Sequence, residues 1–220
     1  WLAGIEAMNN PQMRVLHYPQ PFNYAAMNNL AASHARGEYL VLLNNDTTIV
    51  REDWLDAMLN HAQRPEVGAV GAKLIDLDGK VQSAGLIACL PNPAQQPFVG
   101  DSPDGPGYMY RLQVDQDYSA VTGACMMVRK SLYDEAGGLD EAKFPVSHGD
   151  IDLCLKLRHA GYLVVWTPHA LLLHEGSVSQ ATEDKASTED KAKRFATGQD
   201  ALYERWLPAI AHDPAYNDNL

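Results

Sequence analysis

The sequence has few cysteines, and they are not spaced for metal or redox chemistry. Its 220 residues include three, Cys89, Cys125 and Cys154, with no CxxC pair. The odd number, and the position of two of them inside apolar runs, indicate buried thiols in a reducing compartment. This pattern argues against a disulfide-stabilised secreted fold.

Long apolar runs are also absent. No stretch approaches the ~20 residues needed to cross a bilayer, and no signal-peptide pattern is visible. We therefore predict no transmembrane segment in this chain. We expect a cytoplasmic location, with contact to the inner face of the membrane made through a bound substrate or through segments outside this chain.

Basic residues are scarce relative to acidic ones. The chain contains 17 Lys and Arg and 28 Asp and Glu, which gives a net charge of −11. A protein that binds a phosphate backbone needs a basic stripe, so we predict no nucleic-acid partner. The acidity is compatible with a nucleotide enzyme, because a divalent cation can bridge carboxylates and a diphosphate. No Gly-rich phosphate loop with a Lys or Arg is visible in the sequence. This absence argues against one alternative function, that of a nucleotidyltransferase built on an α/β sheet.

Predicted strands and helices alternate along the chain. Strands are predicted at Tyr39 to Leu43 and Val67 to Ile75, and Asn23 is predicted to cap a helix from Tyr24 to about His34. This alternation favours an α/β fold with a mostly parallel sheet. We divide the chain into an α/β domain, 1–180, and a polar, helical C-terminal tail, 181–220.

The stretch from Leu40 to Asp46 ends an apolar strand in three polar side chains, Asn44, Asn45 and Asp46. In open α/β sheets the ligand crevice lies at the carboxyl ends of the strands. Asp46 can supply an oxygen ligand to Mg²⁺ or Mn²⁺ while phosphate and water complete the coordination. The asparagines can hydrogen-bond ribose and phosphate. The alternative is an ordinary polar turn, which these residue types also favour.

A second acidic cluster, His148 to Asp152, opens a predicted helix. Transfer of a group to a hydroxyl needs a base that takes the proton from the attacking hydroxyl, and the carboxylate of Asp150 is the candidate for this base. Asp152, two residues later, can serve the same electrostatic role. The alternative is that Asp150 only caps the helix, where a carboxylate also favours the helix dipole.

Three further positions are candidates for binding. His174 follows the apolar run Leu171 to Leu173 and can complete a metal site, although a lone histidine is more often an ordinary core or surface residue. Asn29 belongs to an asparagine pair inside a helix, where asparagine is a poor helix former, so we expect a role there. Gly123–Ala124 can bring the backbone close to a ligand, or it can form a strand irregularity.

Taken together, these stretches resemble one enzyme family. The similar segments are, in chain order, 22–29, 35–39, LVLLNNDTTI at 40–49, RPEVGAVGAKL at 64–74, YSAVTGACMMVRKSLYDEAGGLDE at 118–141, GDIDLCLKLRHAGY at 149–162 and VVWTPHALLLHEGS at 164–177. Their order and spacing resemble family-2 glycosyltransferases of the GT-A fold, a three-layer α/β/α sandwich. The resemblance is strongest to bacterial rhamnosyltransferase-like and O-antigen glycosyltransferases.

The resemblance implies a nucleotide and metal site after the first of these strands. Asn44, Asn45 and Asp46 stand where the family has its DxD motif, with Asp46 at the metal-binding aspartate and two asparagines in place of acidic residues. His174 matches a histidine that binds metal or diphosphate. Asn29 matches an asparagine near the nucleotide.

The resemblance also implies a catalytic base. Asp150 matches the aspartate of the family's ED motif. Gly149 replaces the preceding glutamate, so the helper role of that glutamate is either absent or taken by His148 or Asp152. Gly123–Ala124 matches a segment that lines the donor sugar. The family's first strand–helix–strand unit would lie before Trp1, so we expect an incomplete GT-A domain.

The sequence therefore predicts an inverting, metal-dependent glycosyltransferase with Mg²⁺ or Mn²⁺ as cofactor. Its donor would be a nucleotide-diphospho-sugar, and its acceptor a hydroxyl of a glycan or lipid-linked glycan in bacterial surface polysaccharide synthesis. The alternative is a catalytically degenerate glycan- or nucleotide-binding module of a larger protein, which Asn44, Asn45 and Gly149 favour.

Overall fold

The computed structural model describes residues 2–8, 10–90, 93–176 and 187–212. The helices in this part of the chain are α1 (Leu2–Ala7), α2 (Tyr24–His34), α3 (Trp54–Ala62), α4 (Lys130–Glu135), α5 (Gly149–His159) and α6 (Thr188–Ile210), with a 3-10 helix at Tyr108–Tyr110. The strands are β1 (Tyr39–Leu43), β2 (Thr47–Ile49), β3 (Val67–Ile75), β4 (Val81–Ser83), β5 (Gln116–Asp117), β6 (Cys125–Arg129) and β7 (Leu163–His174).

One mixed sheet contains these strands. Its order is β1–β6–β3–β7–β2, with β4 beside β3 and β5 beside β7. Among the described strands, β3 and β7 form the one parallel pair, and the other neighbours pair antiparallel. The α/β fold class is thus found, but the expected mostly parallel pairing is not. The reason is that β6 runs in the reverse direction between β1 and β3, so β1, β3 and β7 share a direction without all being neighbours.

The two faces of the sheet fill two separate cores. On β6, Met126 and Val128 enter one core and Cys125 and Met127 enter the other, as the two-residue period of a strand requires. Residues of α2, α5 and α6 pack into the first core, and those of α3 pack into the second. Helices on both faces make this the expected three-layer α/β/α arrangement.

A side-chain cap fixes the start of α2. The Oδ1 atom of Asn23 accepts a hydrogen bond from the backbone amide of Ala26 at 2.9 Å, and it satisfies one of the amides that a helix start leaves without a partner. The predicted helix from Tyr24 to His34 and its cap are both present.

Helix α6 packs against the α/β core. Leu202 and Ile210, both almost fully buried, belong to the first core. The expected boundary between residues 180 and 181 lies outside the described residues. No helix in the described part of the chain is both long and apolar enough to span a membrane.

Candidate active site

The ends of β1 and β7 bring three of the predicted residues together. The segment after β1 turns into β2, which pairs with β7 so that Thr47 lies opposite His174. As a result, the Oδ1 atom of Asp46 lies 3.1 Å from Nε2 of His174. The side-chain amide nitrogen of Asn44 lies 3.2 Å from the same ring nitrogen.

The Asp46–His174 pair fits a divalent cation. The side chain of Asp46 is only 7% exposed, and its Oδ1 accepts no hydrogen bond from the described part of the chain. Mg²⁺ holds its ligands at about 2.0–2.1 Å in an octahedron, so neighbouring ligands lie about 3 Å apart. The 3.1 Å between Oδ1 and Nε2 matches this spacing. Within the described ranges there is no cluster of three or more His, Cys, Asp or Glu that could hold a metal ion, so water and a diphosphate would have to complete the coordination.

Asp150 lies at the start of α5, against the turn that precedes β6. Its Oδ2 accepts a hydrogen bond from the amide of Gly123 at 2.8 Å, and its Oδ1 accepts one from the amide of Ile151 at 2.9 Å. A Cβ at position 123 would lie 3.4 Å from the Cβ of Asp150 and 3.3 Å from the hydroxyl of Tyr24. Glycine therefore allows the carboxylate to approach the backbone this closely.

The same turn connects Asp150 to the segment after β1. While the amide of Gly123 holds Asp150, the carbonyl of the next residue, Ala124, accepts a hydrogen bond from the amide of Asn44 at 3.0 Å. The structure thus groups Asn44, Asp46, Gly123, Ala124, Asp150 and His174 around one edge of the sheet. Asn45 lies in the same turn with an exposed side chain.

Tyr24 reaches the same turn at Gly123 that holds Asp150. Its hydroxyl donates to the carbonyl of Gly123 at 3.2 Å. Burial raises the pKa of Tyr24 well above its usual value, and the negative charge of Asp150, with a smaller contribution from Asp46, adds to the increase. The hydroxyl therefore stays protonated and acts as a hydrogen-bond donor.

Asn29 is not available for a nucleotide. Its amide nitrogen donates to the carbonyl of Leu139 and to the carboxylate of Glu141, both at 2.8 Å. Its amide oxygen accepts from the hydroxyl of Tyr133 at 2.6 Å and from the amide of Leu139 at 3.0 Å. These four bonds use the full hydrogen-bonding capacity of the side chain. Asn29 therefore fastens α2 to the segment after α4, and the expected nucleotide contact is not supported.

The two predicted helper residues face α6 instead of the cation pair. Asp152 is fully buried, and its Oδ1 accepts from Arg205 at 2.7 Å and from the Trp206 indole at 2.9 Å. His148 has a left-handed backbone, and its ring packs on Phe195 with centroids 4.5 Å apart. Burial lowers the pKa of His148. These contacts give both residues a structural position between α5 and α6.

Gln82, on β4, was missed by the sequence analysis. Its side-chain nitrogen donates to the carbonyl of His174 at 3.0 Å, and its side-chain oxygen contacts Nδ1 of the same residue. Tyr24 was identified only as the first residue of a helix. Neither residue follows a periodic pattern that points to a site, because their partners lie 92 and 99 positions away in the sequence.

Comparison with known proteins gives the family. Residues 2–137 match the family described as Glycosyl transferase family 2. Over 220 residues the chain is 44% identical to the protein y4gI of Sinorhizobium fredii and 37% identical to the O-antigen biosynthesis protein RfbC of Myxococcus xanthus. The chain therefore belongs to glycosyltransferase family 2.

These relatives are much longer proteins. The matches cover 100% and 99% of this chain but only 24% of y4gI and 16% of RfbC. A third relative, the N-acetylglucosaminyl-diphospho-decaprenol L-rhamnosyltransferase of Mycobacterium tuberculosis, is 34% identical over 128 residues, which cover 54% of this chain and 41% of that protein.

Two solved structures confirm the GT-A fold. A mannosyltransferase from Pyrobaculum calidifontis, in complex with GDP-Man and Mn²⁺, has a TM-score of 0.56 at 16% identity and covers 93% of this chain and 49% of its own. GalNAc-T7, with UDP, GalNAc and Mn²⁺, has a TM-score of 0.64 at 13% identity and covers 95% of this chain and 40% of its own.

Proposed function

We propose that this chain is the donor-binding and catalytic part of an inverting, metal-dependent glycosyltransferase. One observation carries the proposal: the Gly123–Ala124 turn contacts Asp150 on one side and the segment of Asn44 and Asp46 on the other. A carboxylate suited to proton transfer and a pair suited to a cation therefore belong to one site.

Asp150 is the proposed base. The hydrogen bonds from Gly123 and Ile151 hold its two oxygens in place, and each oxygen keeps a second lone pair. One of these lone pairs would take the proton from the acceptor hydroxyl as that oxygen attacks the anomeric carbon. A single base acting on one face gives inversion, whereas a retaining double displacement would need a nucleophile on the other face.

Asp46 and His174 are the proposed ligands of a divalent cation, either Mg²⁺ or Mn²⁺. When bound, such a cation supplies positive charge that stabilises the departing nucleoside diphosphate. The burial of Asp46, the unsatisfied Oδ1 and the 3.1 Å spacing support this assignment. Asn44 and Asn45 would hydrogen-bond the ribose or the diphosphate, and Gly123–Ala124 would line the donor sugar.

The proposed substrates follow from the family and from the names of its members. The donor would be a nucleotide-diphospho-sugar, and the acceptor a glycan or a lipid-linked glycan. RfbC is named for O-antigen biosynthesis, and the mycobacterial relative is named a rhamnosyltransferase that acts on a lipid diphosphate sugar. These names support a role in bacterial surface polysaccharide synthesis.

Replacing the base separates catalysis from binding. Asp150→Asn should lower sugar transfer by about 10²–10⁴-fold, because it removes the proton acceptor, while donor affinity stays unchanged. The assay follows nucleoside diphosphate release from UDP-, GDP- and dTDP-sugars in Mn²⁺. Asp53→Asn, an exposed carboxylate paired with Arg51, is the matched control. Near-normal turnover in Asp150→Asn would show that Asp150 is not the base.

The second candidate function is a catalytically degenerate nucleotide- or glycan-binding module. Asn44 and Asn45 in place of acidic residues, and Gly149 in place of a glutamate, favour it. A module of this kind would bind a nucleoside diphosphate but release none from any donor sugar. The release assay therefore distinguishes the two functions.

A further inference from the structure

Gln82 makes two contacts with His174, one to its backbone and one to its ring. The Nε2 atom of Gln82 donates to the carbonyl oxygen of His174 at 3.0 Å, and the Oε1 atom lies 2.5 Å from the ring nitrogen Nδ1. Because a carbonyl oxygen can only accept, the first contact fixes which end of the amide carries the nitrogen. The oxygen end must therefore face the ring.

This orientation determines where the imidazole carries its proton. An amide oxygen can only accept a hydrogen bond, so Nδ1 of His174 must be the donor. The lone pair of the neutral ring is then on Nε2. This nitrogen has the amide nitrogen of Asn44 at 3.2 Å and Oδ1 of Asp46 at 3.1 Å. Asn44 can donate to it, whereas Asp46 cannot, and Oδ1 indeed accepts no hydrogen bond from the described residues.

The backbone around Gln82 directs its side chain toward His174. Along the β3–β4 pair, Ser83 lies opposite Leu74 and Val81 lies opposite Ile75, which leaves Gln82 as the extra residue of a bulge. Bulges of this kind redirect a side chain next to a site. Gly176, with φ of +64°, leaves room for the amide, because a Cβ there would lie 2.9 Å from Nε2 of Gln82.

We propose that Gln82 is a positioning residue for the cation site, which holds His174 in the Nδ1–H form and directs the Nε2 lone pair toward the space beside Asp46. This inference rests on the proposed function, since it assigns a role to a neighbour of the proposed ligands. Histidines that bind metals almost always donate their other N–H to such a partner, and the loss of that partner typically costs 10–100-fold in metal affinity.

Two measurements that do not depend on activity test this role. Long-range ¹⁵N–¹H spectra report which nitrogen of His174 carries the proton, with the signal assigned from His174→Gln. Paramagnetic resonance of free Mn²⁺ reports the affinity for Mn²⁺ alone. In the wild type we expect the proton on Nδ1. In Gln82→Leu we expect a mixture of the two forms and 10–100-fold weaker Mn²⁺ binding.

Two further variants separate positioning from general damage to the fold. Gln113→Leu removes another partly buried amide, one that donates to the carbonyls of Pro103 and Gly105, and it should leave both measurements unchanged. Gln82→Glu keeps an acceptor for Nδ1 and should retain the Nδ1–H form.

The outcomes separate this inference from the proposed function. A wild-type proton on Nε2, or unchanged Mn²⁺ affinity in Gln82→Leu while Asp46→Ala weakens it, would overturn the role of Gln82 alone. Mn²⁺ binding that Asp46→Ala does not weaken, or no Mn²⁺ binding at all, would overturn the cation site and this inference with it.

Discussion

Replacing Asp152 with alanine should destabilise the chain strongly, although Asp152 lies only two residues from the proposed base. The carboxylate is fully buried, with Arg205 at 2.7 Å, the Trp206 indole at 2.9 Å and Lys156 at 3.0 Å. Removing one partner of a buried ion pair typically costs 3–5 kcal/mol. Here the side chains of Arg205 and Lys156 are 27% and 23% exposed, and Arg205 keeps Asp140 at 2.7 Å. We therefore expect the lower end, about 3 kcal/mol.

Urea unfolding of Asp152→Ala measures this cost, and a thermal scan should show a decrease of about 6–12 °C for a chain of this size. Glu204→Ala is the control, because it breaks an ion pair with Lys143 whose side chains are 75% and 43% exposed. Its cost should stay below about 1 kcal/mol. If Asp152→Ala instead keeps wild-type stability and loses only activity, the carboxylate is a catalytic helper and our structural assignment is wrong.

Two other predictions concern Asn29 and His148, which the sequence placed in the site and which make structural contacts elsewhere. Asn29→Ala should cost about 1–3 kcal/mol in urea unfolding, because it leaves Tyr133 and Leu139 without partners, and unchanged nucleotide affinity would separate it from a donor ligand. Burial lowers the pKa of His148, so the unfolded chain binds the proton more readily, and stability is lost as the pH falls through the ordinary histidine pKa. Asparagine tolerates the left-handed backbone at this position. Between about pH 7.5 and about pH 5.5, the melting temperature of His148→Asn should therefore decrease less than that of the wild type. An equal decrease in the two proteins would contradict this prediction.

Local sequence signals predicted the elements whose determinants are local. The Asn23 cap and the apolar runs gave α2, β1 and β3 with the bounds that the structure has. The same local signals also favour a strand at Met13 to Leu16, where Met, Val and Leu accompany one Arg. These residues form no strand in the structure, because a short apolar run becomes a strand only where a neighbour pairs with it.

Strand direction and long-range contacts could not be read from the sequence. Nothing in the apolar run of β6 shows that it enters antiparallel between β1 and β3, since periodicity reports burial and not direction. The position of His174 beside Asp46 depends on the pairing of β2 with β7. The role of Asn29 was missed for the same reason, because the four hydrogen bonds of its side chain join it to residues 104 to 112 positions away in the sequence.

We propose that Asp46 and His174 form the cation-dependent donor site of a glycosyltransferase. The most direct test is the melting temperature with UDP, GDP or dTDP, with and without Mn²⁺, for the wild type, Asp46→Ala and the control Asp53→Ala. A nucleotide at a hundredfold excess over its dissociation constant adds about 2.7 kcal/mol to folding, or about 5–10 °C. We predict a Mn²⁺-dependent increase in the wild type and in Asp53→Ala that disappears in Asp46→Ala. An equal increase in Asp46→Ala, or one independent of Mn²⁺, would contradict the claim.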